Sequence, residues 1–401
     1  MRIAIVSSSR RKFGGIETYL EAVIPALRRS TTEVAFWYEN DEPESREQIA
    51  LDEKTPTWSV SKIGAVRALA GLRAWAPTVV YGHGLLDPKL EAATLEVAPA
   101  AFFAHAYYGT CISGSKTWSN PTVRTCTRNF GALCLVHYFP HRCGGLSPLT
   151  MFSEYRRQKT RLELLHRYRY VLTGSEHMRA EFANHGLNVR HVPLFVPTNG
   201  AEPGSPASQL PSRILFLGRM DRLKGGLTLL TSLPRIRQSL GRPLHVTFAG
   251  DGPERRLWES EAARMQVSVE DLSFDFPGWV NGDAHETLFA GSDLLVMPSL
   301  WPEPFGLVGP QAGLHGVPAV AFAVGGISDW LKDGVNGYLA PGDPPTSQGL
   351  AEAIVKCFSD PALHLRLRNG AATIARRFSA SEHVSKLMRV FEEIAGSAGH
   401  E

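Results

Sequence analysis

The chain is 401 residues long, which exceeds one ordinary hydrophobic core and suits two domains of roughly 200 residues each. Hydrophobic residues make up 43% of it and charged residues 20%, a globular composition that excludes a disordered or fibrous protein. The formal net charge of +3 is too small to indicate nucleic-acid binding, so we expect no nucleic-acid partner.

The sequence predicts no membrane-spanning helix, because no 18 consecutive residues are apolar. Near the amino terminus, the apolar run 3–6 is too short for the core of a signal peptide and lacks a small-residue cleavage site. This run is interpreted as a strand. We expect a cytoplasmic protein, where thiols are kept reduced, with contact to the inner face of the membrane as an alternative.

Five cysteines do not make a full set of disulfides. Four of them (Cys111, Cys126, Cys134 and Cys143) fall within one stretch rich in glycine and aromatic residues. Their spacings lack the paired C-x-x-C form of a zinc ribbon, which favours free buried thiols over a bound metal or cluster. The sequence therefore predicts no metal site and no cofactor, and a joint role for the four cysteines stays open.

The first half alternates short apolar runs with helical patterns, which favours an α/β fold with a parallel sheet and crossover helices. Apolar residues between Ile16 and Leu27 recur at the spacing of one helix face and predict a helix there. The predicted strands of this half are 3–7, 34–38, 78–82, 100–104, 170–173 and 192–196.

Residues 197–212 interrupt the alternation with clustered Pro, Gly and Ser, as in an exposed linker between domains. The alternation then restarts, which favours two domains, 1–196 and 213–378, over one large doubly wound sheet. The predicted strands of the second half are 213–217, 245–249, 272–276, 294–297 and 319–323. The predicted helices are 225–239, 253–265, 283–290, 306–316, 327–332, two within 347–378, and 380–395.

Open parallel sheets bind ligands at the carboxyl ends of their strands, and Gly14-Gly15 lies there, between the first strand and the first helix. Glycine lets backbone approach a phosphate, and a helix amino terminus adds free N–H groups. A plain turn uses the same residues, so the pair alone decides little. The G-x-G-x-x-G fingerprint of dinucleotide-binding proteins is missing, which argues against an NAD enzyme.

The loop after the first strand of the second half carries Arg219 and Lys224. Two cations at one strand end can converge on one anion, since arginine binds it bidentately and lysine adds a mobile point charge. A solvated basic loop is the alternative, and the position of the loop makes the two interpretations about equal.

A third motif follows the strand that ends near Pro298. We expect a helix to begin at about Gly306, which would leave the N–H groups of Gly306, Leu307 and Val308 free to bind phosphate. Glu303 precedes that helix and could accept hydrogen bonds from sugar hydroxyls, although a helix-cap carboxylate is the alternative. Gln311 lies within reach of a ligand at the mouth of the helix.

Together these features resemble glycosyltransferase family 4, a group of retaining enzymes with the GT-B fold. The resemblance covers nearly the whole chain, and the order and spacing of its parts make it specific. The parts are Gly14-Gly15, His105, Gly218-Arg219, Lys224-Gly225, Gly250-Asp251-Gly252-Pro253, Gly278-Trp279-Val280, Glu303-Pro304-Phe305-Gly306 and Gly325-Gly326-Ile327. The resemblance implies two Rossmann-like domains facing a central cleft, the acceptor on 1–196, the donor on 213–378, and a helix in 379–401 that crosses back to the first domain.

The resemblance also implies the role of each site residue. Arg219 and Lys224 would hold the donor diphosphate and stabilise it as it leaves, Glu303 would bind hydroxyls of the donor sugar, and His105 would lie beside the transferred sugar. The remaining substrate-binding contacts would come from Gly14, Gly15, Gly218, Gly250, the Val280 backbone, Gly306, Leu307, Val308 and Gln311.

The chain departs from the family pattern at Gln311, where the family usually has a second glutamate that binds the nucleotide ribose. An amide still bonds hydroxyls, but the charge-assisted hydrogen bond, roughly twice as strong as a neutral one, is lost. We expect altered ribose contact and an active enzyme. Asp329 stands where the family often has glutamate, which we interpret as tolerable.

The resemblance implies retention of the anomeric configuration, by a front-face route in which the leaving phosphate oxygen takes the acceptor proton. The sequence offers no obvious carboxylate pair for double displacement, and no Asp-x-Asp metal site. The expected partners are a UDP- or GDP-sugar and an acceptor hydroxyl on a glycan, a lipid-linked molecule or a small molecule. The basic and leucine-bearing stretch 155–169 is either a membrane-contacting surface or, as is more common, a solvated amphipathic helix.

Two other functions remain as alternatives. A nucleotide-sugar epimerase on the same fold would release no nucleotide diphosphate in proportion to acceptor. A non-catalytic nucleotide-sugar binding partner is suggested by Gln311. It would bind the donor but show neither sugar transfer nor slow hydrolysis of the donor. The sugar, the nucleotide base and the acceptor are not specified by the sequence, because they are read by backbone and by loops that vary with function.

Overall fold

The computed structural model describes residues 1–12, 14–30, 32–43, 46–196, 212–280 and 283–397. The predicted linker 197–212 lies outside the described residues except for Ser212. Two parallel sheets, each flanked by helices, account for most of the chain.

The amino-terminal sheet has seven parallel strands in the order β3-β2-β1-β4-β5-β8-β9. Apolar side chains bury the central strands on both faces, as crossover helices require. A separate antiparallel pair, β6 and β7, lies in the segment between β5 and β8. The strands are β1 (Arg2–Ser9), β2 (Glu33–Asn40), β3 (Thr57–Ser59), β4 (Val79–Gly82), β5 (Ala100–Ala104), β6 (Thr117–Trp118), β7 (Arg124–Thr125), β8 (Tyr170–Thr173) and β9 (Val189–His191).

Helices join these strands as the alternation predicted. The predicted helix over 16–27 is confirmed as α1, and the predicted apolar face is the one it buries. The helices of this half are α1 (Gly15–Arg29), α2 (Val60–Ile63), α3 (Ala65–Trp75), α4 (Pro88–Leu95), α5 (Leu133–His137), α6 (Pro148–Leu165) and α7 (Glu176–Ala183).

The predicted strand over 192–196 is wrong. The last strand of the sheet is Val189–His191, and after one more hydrogen bond, from the amide of Val192 to the carbonyl of Thr173 in β8, the chain leaves the sheet. Val196 donates instead to the carbonyl of Phe378, and Pro193 has no N–H to offer a neighbouring strand. The apolar residues of this segment are buried, but by packing between the two halves of the molecule and not in the sheet.

The carboxy-terminal sheet has six parallel strands in the order β12-β11-β10-β13-β14-β15. The five predicted strands of this half are confirmed, and β15 was missed. The strands are β10 (Arg213–Leu217), β11 (Leu244–Ala249), β12 (Leu272–Gly278), β13 (Leu294–Met297), β14 (Ala319–Phe322) and β15 (Gly337–Ala340). The helices are α8 (Gly226–Leu240), α9 (Arg255–Ser268), α10 (Asp283–Ala290), α11 (Val308–Leu314), α12 (Ile327–Trp330), α13 (Ser347–Phe358), α14 (Pro361–Ala375) and α15 (Ala380–Ser397).

Helix α15 follows the second sheet in the chain but packs on the first. It contacts α1 and β4. Nε2 of its His383 forms a hydrogen bond with the hydroxyl of Tyr19, and the two atoms are 2.8 Å apart. The ring of Phe391 lies 5.1 Å from that of Tyr81. The two sheets are thereby joined by a returning helix as well as by the connection near 197–212, while the exact domain boundaries stay a prediction.

Candidate functional site

The two halves meet where the strands of both sheets end. The hydroxyl of Tyr107, just after β5, donates to the carbonyl of Pro302, 2.8 Å away and just after β13. The rings of Tyr107 and Trp301 are 6.3 Å apart. Loops at strand carboxyl ends therefore face each other across the boundary, the usual place for a ligand in open α/β sheets.

Glu303 is a buried carboxylate at this boundary, at 4% exposure. Its Oε1 accepts from Lys224 Nζ at 2.7 Å, Ser299 Oγ at 2.5 Å and Trp301 Nε1 at 2.9 Å. Within the described chain, Oε2 of the same carboxylate accepts no hydrogen bond. One oxygen thus fixes the carboxylate, and the other is left to accept from a ligand.

Two glycines allow the chain to pass close to Glu303. Gly325 has φ +59, and a Cβ there would lie 2.3 Å from the Glu303 carbonyl oxygen. The amide of Gly326 donates to that same carbonyl at 2.7 Å. The Gly325-Gly326 pair of the sequence motif therefore acts by positioning the Glu303 backbone.

Lys224 ends a short 3-10 turn, Arg222–Lys224, which Asp221 caps. Asp221 Oδ1 accepts from the amides of Leu223 and Lys224, at 3.0 and 3.2 Å. The next residue, Gly225, has φ +73, and a Cβ there would lie 1.9 Å from the carbonyl oxygen of Pro298. This close approach places Lys224 against the loop that carries Glu303.

Arg219 does not share a partner with Lys224. Its side chain is 70% exposed and lies 3.7 Å from Asp221 Oδ2. The structure thus keeps one cation fixed on a carboxylate and leaves the other largely solvated at the same strand end. Any shared anion would have to draw Arg219 inward.

The helix expected to begin at about Gly306 begins at Val308 instead. Gly306 has φ +83, which is outside the helical range, and its chain packs close to Met297 and Trp330. Within the described residues the amides of Gly306, Leu307 and Val308 find no backbone acceptor, and their contact with a phosphate stays a prediction. Gln311 is half-buried on α11, one turn further on.

The other glycines fall into two groups. A Cβ at Gly14 or Gly15 would meet nothing within 4 Å, so nothing in the described chain requires glycine there. Gly250 has φ +134, and its Cβ would lie 1.9 Å from the Gly218 carbonyl oxygen. Gly250 therefore lets the ends of β10 and β11 approach each other, whereas a Cβ at Gly218 would meet only the Phe216 ring at 4.0 Å. Val280, after β12, is half-buried against the core.

His105 lies at the end of β5 in a cluster of rings. Its Nε2 is 2.9 Å from Nδ1 of His83, and its ring is 5.4 Å from that of Tyr19. Tyr19 in turn joins Tyr81 at 2.6 Å and His383 at 2.8 Å through its hydroxyl. Two hydrogen-bonded groups, His105 with His83 and Tyr19 with Tyr81 and His383, are therefore joined by ring contacts from the end of β5 to α15.

Burial is the main cause of the shifted pKa values of the histidines in this cluster. It lowers the pKa of His105 to about 3, with the nearby His383 as a second cause. Burial also lowers the pKa of His383 to about 4 and lowers that of His83 well below its usual value. These imidazoles are therefore neutral at physiological pH.

The sequence analysis missed the residues that hold Glu303 in place. Ser299 and Trp301 precede it by four and two residues and both donate to it. The signal that could have identified them is a pair of hydrogen-bond donors, a hydroxyl and an indole N–H, at the fourth and second positions before a predicted site carboxylate. Asp221, which caps the Lys224 turn, was visible in the same loop as a residue with capping chemistry.

Comparisons with known proteins agree with this geometry. Residues 211–360 match the family model described as glycosyl transferases group 1. Over 187 residues the chain is 29% identical to the phosphatidyl-myo-inositol mannosyltransferase of Mycobacterium tuberculosis, covering 46% of this chain and 48% of that protein. The chain thus spans about half the length of the curated relatives it matches.

Solved structures match along nearly the whole chain. Sucrose-phosphate synthase from Thermosynechococcus elongatus superposes with a TM-score of 0.70 at 17% identity, covering 99% of each chain. HepE of Anabaena, solved in complex with UDP-glucose, superposes with a TM-score of 0.64 at 18% identity, covering 98% of this chain and 100% of that one. These findings support the resemblance drawn from the motifs: residues 211–360 match the group 1 glycosyl transferases, and the chain as a whole has the GT-B fold.

Proposed function

We propose that the protein is a retaining glycosyltransferase that moves a sugar from a nucleoside diphosphate to an acceptor hydroxyl without a metal ion. The observation that carries the proposal is the pair of Lys224 and Glu303, 2.7 Å apart at the boundary between the two sheets. A cation and a buried carboxylate at one strand end match the two chemical parts of the donor, its diphosphate and its sugar hydroxyls.

The diphosphate is the part that gains charge as the reaction proceeds. The Lys224 side chain is 28% exposed, so a phosphate can reach its ammonium group without unfolding the loop. Arg219 is more exposed and free to swing toward the same oxygens, and the amides of Gly306, Leu307 and Val308 add neutral donors. Positive groups and amides aimed at developing charge are the largest catalytic term in many enzymes.

Glu303 and His105 position the sugar in this proposal. Glu303 holds Oε1 against three protein donors and presents Oε2 to sugar hydroxyls. His105 supplies a neutral ring, because its pKa is lowered to about 3 by burial. Because Oε1 already accepts three hydrogen bonds from the protein, we assign Glu303 to sugar binding and not to nucleophilic attack on the anomeric carbon.

The reaction itself then needs few protein groups. The bond between the anomeric carbon and the leaving phosphate oxygen breaks, and the acceptor oxygen bonds to that carbon on the same face. The acceptor proton passes to the leaving phosphate oxygen, so no protein base is consumed. Retention of configuration follows from attack on the face that the leaving group vacates.

The donor and acceptor classes are also proposals. HepE was solved with UDP-glucose and the mycobacterial relative is a mannosyltransferase acting on phosphatidyl-myo-inositol, which together support a UDP- or GDP-sugar donor and a hydroxyl acceptor. We place the base against the Val280 backbone and the ribose against Gln311, with Gly14 and Gly15 giving a phosphate access to open backbone. The acceptor side would be the half that carries His105.

The test is nucleotide diphosphate release from UDP-, GDP- and ADP-sugars by the full chain, with added chelator and without acceptor. Slow release from one donor supports the proposal and names the base and sugar. NMR of the product formed with a simple acceptor then reports its anomeric configuration, and inversion would contradict the retaining route.

The same experiment separates the alternatives. Donor binding without release or transfer, with or without acceptors, would favour a non-catalytic binding partner. A changed sugar on the recovered donor, without nucleotide diphosphate, would favour an epimerase. No finding on this chain favours either one at present.

We also propose that the amino-terminal half touches an anionic membrane surface. In the stretch 155–169, Leu164 and Leu165 are 6% and 3% exposed, so its apolar side packs inward. Exposed apolar side chains lie upstream instead, on α5, on the first half of α6 and between them, and the middle of α6 carries Arg156, Arg157 and Lys159. The exposed apolar side chains are Leu133 (63%), Val136 (66%), Phe139 (37%), Leu146 (77%), Leu149 (82%) and Phe152 (51%). Among the described residues, no helix combines the length and the apolar character that crossing a bilayer requires.

Co-sedimentation with vesicles tests the membrane proposal. The protein should sediment with vesicles containing anionic phospholipid and less with neutral ones, and the double variant Leu149→Ser, Phe152→Ser should lose this binding. Leu365→Ser, which removes a side chain of similar exposure (51%) from the other half, is the control. Equal binding by the wild type and the double variant would contradict the proposal.

A further inference from the structure

Four cysteines meet in one place outside the transfer site. Cys111, Cys126, Cys134 and Cys143 all line a single cavity of about 20 Å³, together with the ring of His137. They come from four different parts of the segment between β5 and α6, separated along the chain by 14, 7 and 8 intervening residues. The fold therefore gathers thiols that their spacing in the sequence does not pair.

The segment around this cavity has little else to hold it together. Between β5 and α6 it contains two strands of two residues and one helix of five. The small hydrophobic cluster beside the cavity has three buried members in the described chain, Ile112 and Tyr138 of this segment and Met151 of α6. Lobes with so small a core usually depend on a disulfide or a bound metal.

We propose that Cys111, Cys126, Cys134 and Cys143 bind a metal centre as four thiolates. Four cysteine thiolates hold either a structural zinc ion or an iron–sulfur cluster, and the shared chemistry is a tetrathiolate site. Each thiol would lose its proton to solvent on binding, so metal binding would be coupled to the folding of the lobe.

Contacts around the thiols agree with this assignment. The amide of Lys116 donates to Cys111 Sγ at 3.3 Å, a bond of the kind that supports ligating sulfur. All four are free thiols and not disulfides.

The charge around the cavity is also suitable. A tetrathiolate centre is negative, and Arg128 and Lys116 both line the cavity. Lys116 is 2% exposed and also pairs with Glu181, which holds its side chain at the wall. Among the described residues no three His, Cys, Asp or Glu side chains already stand at the spacing of a bound ion, so binding requires the cysteine side chains to turn inward.

The site would support the surface that faces the rest of the molecule. Arg124, on β7, pairs with Asp343 of the other half at 3.2 Å, and Ser119 accepts from Arg222 beside the Lys224 turn. The same lobe carries the exposed residues Leu133, Val136 and Phe139. A metal centre there would fix the lobe without touching the donor, and it does not depend on the proposed transfer reaction.

The test is elemental and sulfide analysis of the full chain purified without oxygen or chelator. We expect about one zinc ion, or two to four iron atoms with matching sulfide, per chain. The variants Cys126→Ser and Cys134→Ser should each lose that metal. Cys357→Ala, which removes the buried thiol of α13 in the other half, should retain it.

A second measurement covers variants that fail to fold. Wild-type chain freed of metal should take up cobalt(II) and develop the absorption of cobalt–thiolate bonds, and a chelator should lower its melting temperature. Zinc without sulfide identifies the structural-zinc form, and iron with sulfide the cluster. The proposal is overturned if the wild type carries no stoichiometric metal and develops no cobalt–thiolate absorption, or if mass spectrometry finds the four cysteines joined in disulfides.

Discussion

At the scale of single residues, Lys224 is the side chain on which the proposed chemistry depends most. Replacing it with Ala should lower turnover by at least about a hundredfold, as when one oxyanion-type donor is lost. Lys356→Ala, an exposed lysine on α13, is the control and should leave the rate unchanged. Steady-state rates with the preferred donor measure the effect, and near-normal turnover in Lys224→Ala would refute the phosphate assignment.

Gln311 is the residue at which the chain departs from its family. Gln311→Glu should tighten donor binding several-fold, because a carboxylate forms a charge-assisted hydrogen bond with the ribose, roughly twice as strong as a neutral one. Calorimetric titration with the nucleotide diphosphate measures the change. Unchanged or weaker affinity would mean that Gln311 does not contact the ribose.

At the scale of elements, the turn before α12 is what fixes the Glu303 backbone. Gly325→Ala would introduce a Cβ 2.3 Å from the Glu303 carbonyl oxygen, so it should displace Glu303 and remove most of the activity. Gly334→Ala is a matched control: Gly334 also has a left-handed φ, +71, but its Cβ would meet nothing within 4 Å. The control should cost only about 1 kcal/mol of stability and keep its rate.

Rates and melting temperatures of the two glycine variants decide between positioning and general strain. If both variants lose activity to the same degree, backbone strain causes the loss and the contact with Glu303 does not. If neither variant loses activity, the turn has no part in holding the carboxylate.

Most elements of the fold could be predicted from apolar runs and helical spacing, because buried parallel strands consist almost entirely of apolar residues. Two of the elements that were predicted wrongly or missed have a clear physical reason. Residues 192–196 are apolar because two halves of the molecule bury them, which looks the same in sequence as burial in a sheet. Strand β15 was missed because it is short and starts with Gly337, whose backbone packs against Ala319.

The candidate site was predictable as a set of residues and not as a geometry. Lys224 and Glu303 are 79 residues apart, and their contact depends on Gly225 passing close to Pro298. No local pattern encodes that approach. The partners of Glu303, by contrast, are its near neighbours in sequence, so Ser299 and Trp301 could have been included.

At the scale of the whole molecule, buried histidines between the first sheet and α15 should make stability fall in acid. Unfolded histidines take up protons below about pH 6.5, whereas the folded pKa of His105 is about 3 and that of His383 about 4. The stabilising contribution is therefore complete above pH 6.5 and is lost as pH falls toward 4, at up to about 1.4 kcal/mol per pH unit for each histidine.

Urea unfolding at pH 7.5 and at pH 5 measures this dependence. His383→Gln should reduce the loss of unfolding free energy between the two pH values, whatever its effect at pH 7.5. His166→Gln, at an exposed position after α6, is the control and should leave the difference unchanged. An unaltered pH dependence in His383→Gln would contradict the assignment of a neutral buried His383.

The packing of α15 on α1 has a consequence for how the protein is made. The hydrogen bond between Tyr19 and His383 joins residues 364 apart, and Phe391 and Leu387 are fully buried in the same core as Tyr81. During synthesis at about 5–20 residues per second, the surface of α1 and β4 that α15 will cover stays exposed for tens of seconds while the ribosome makes the second half. The amino-terminal half therefore cannot finish folding as the chain emerges, and it is the half that a nascent-chain chaperone would have to guard longest.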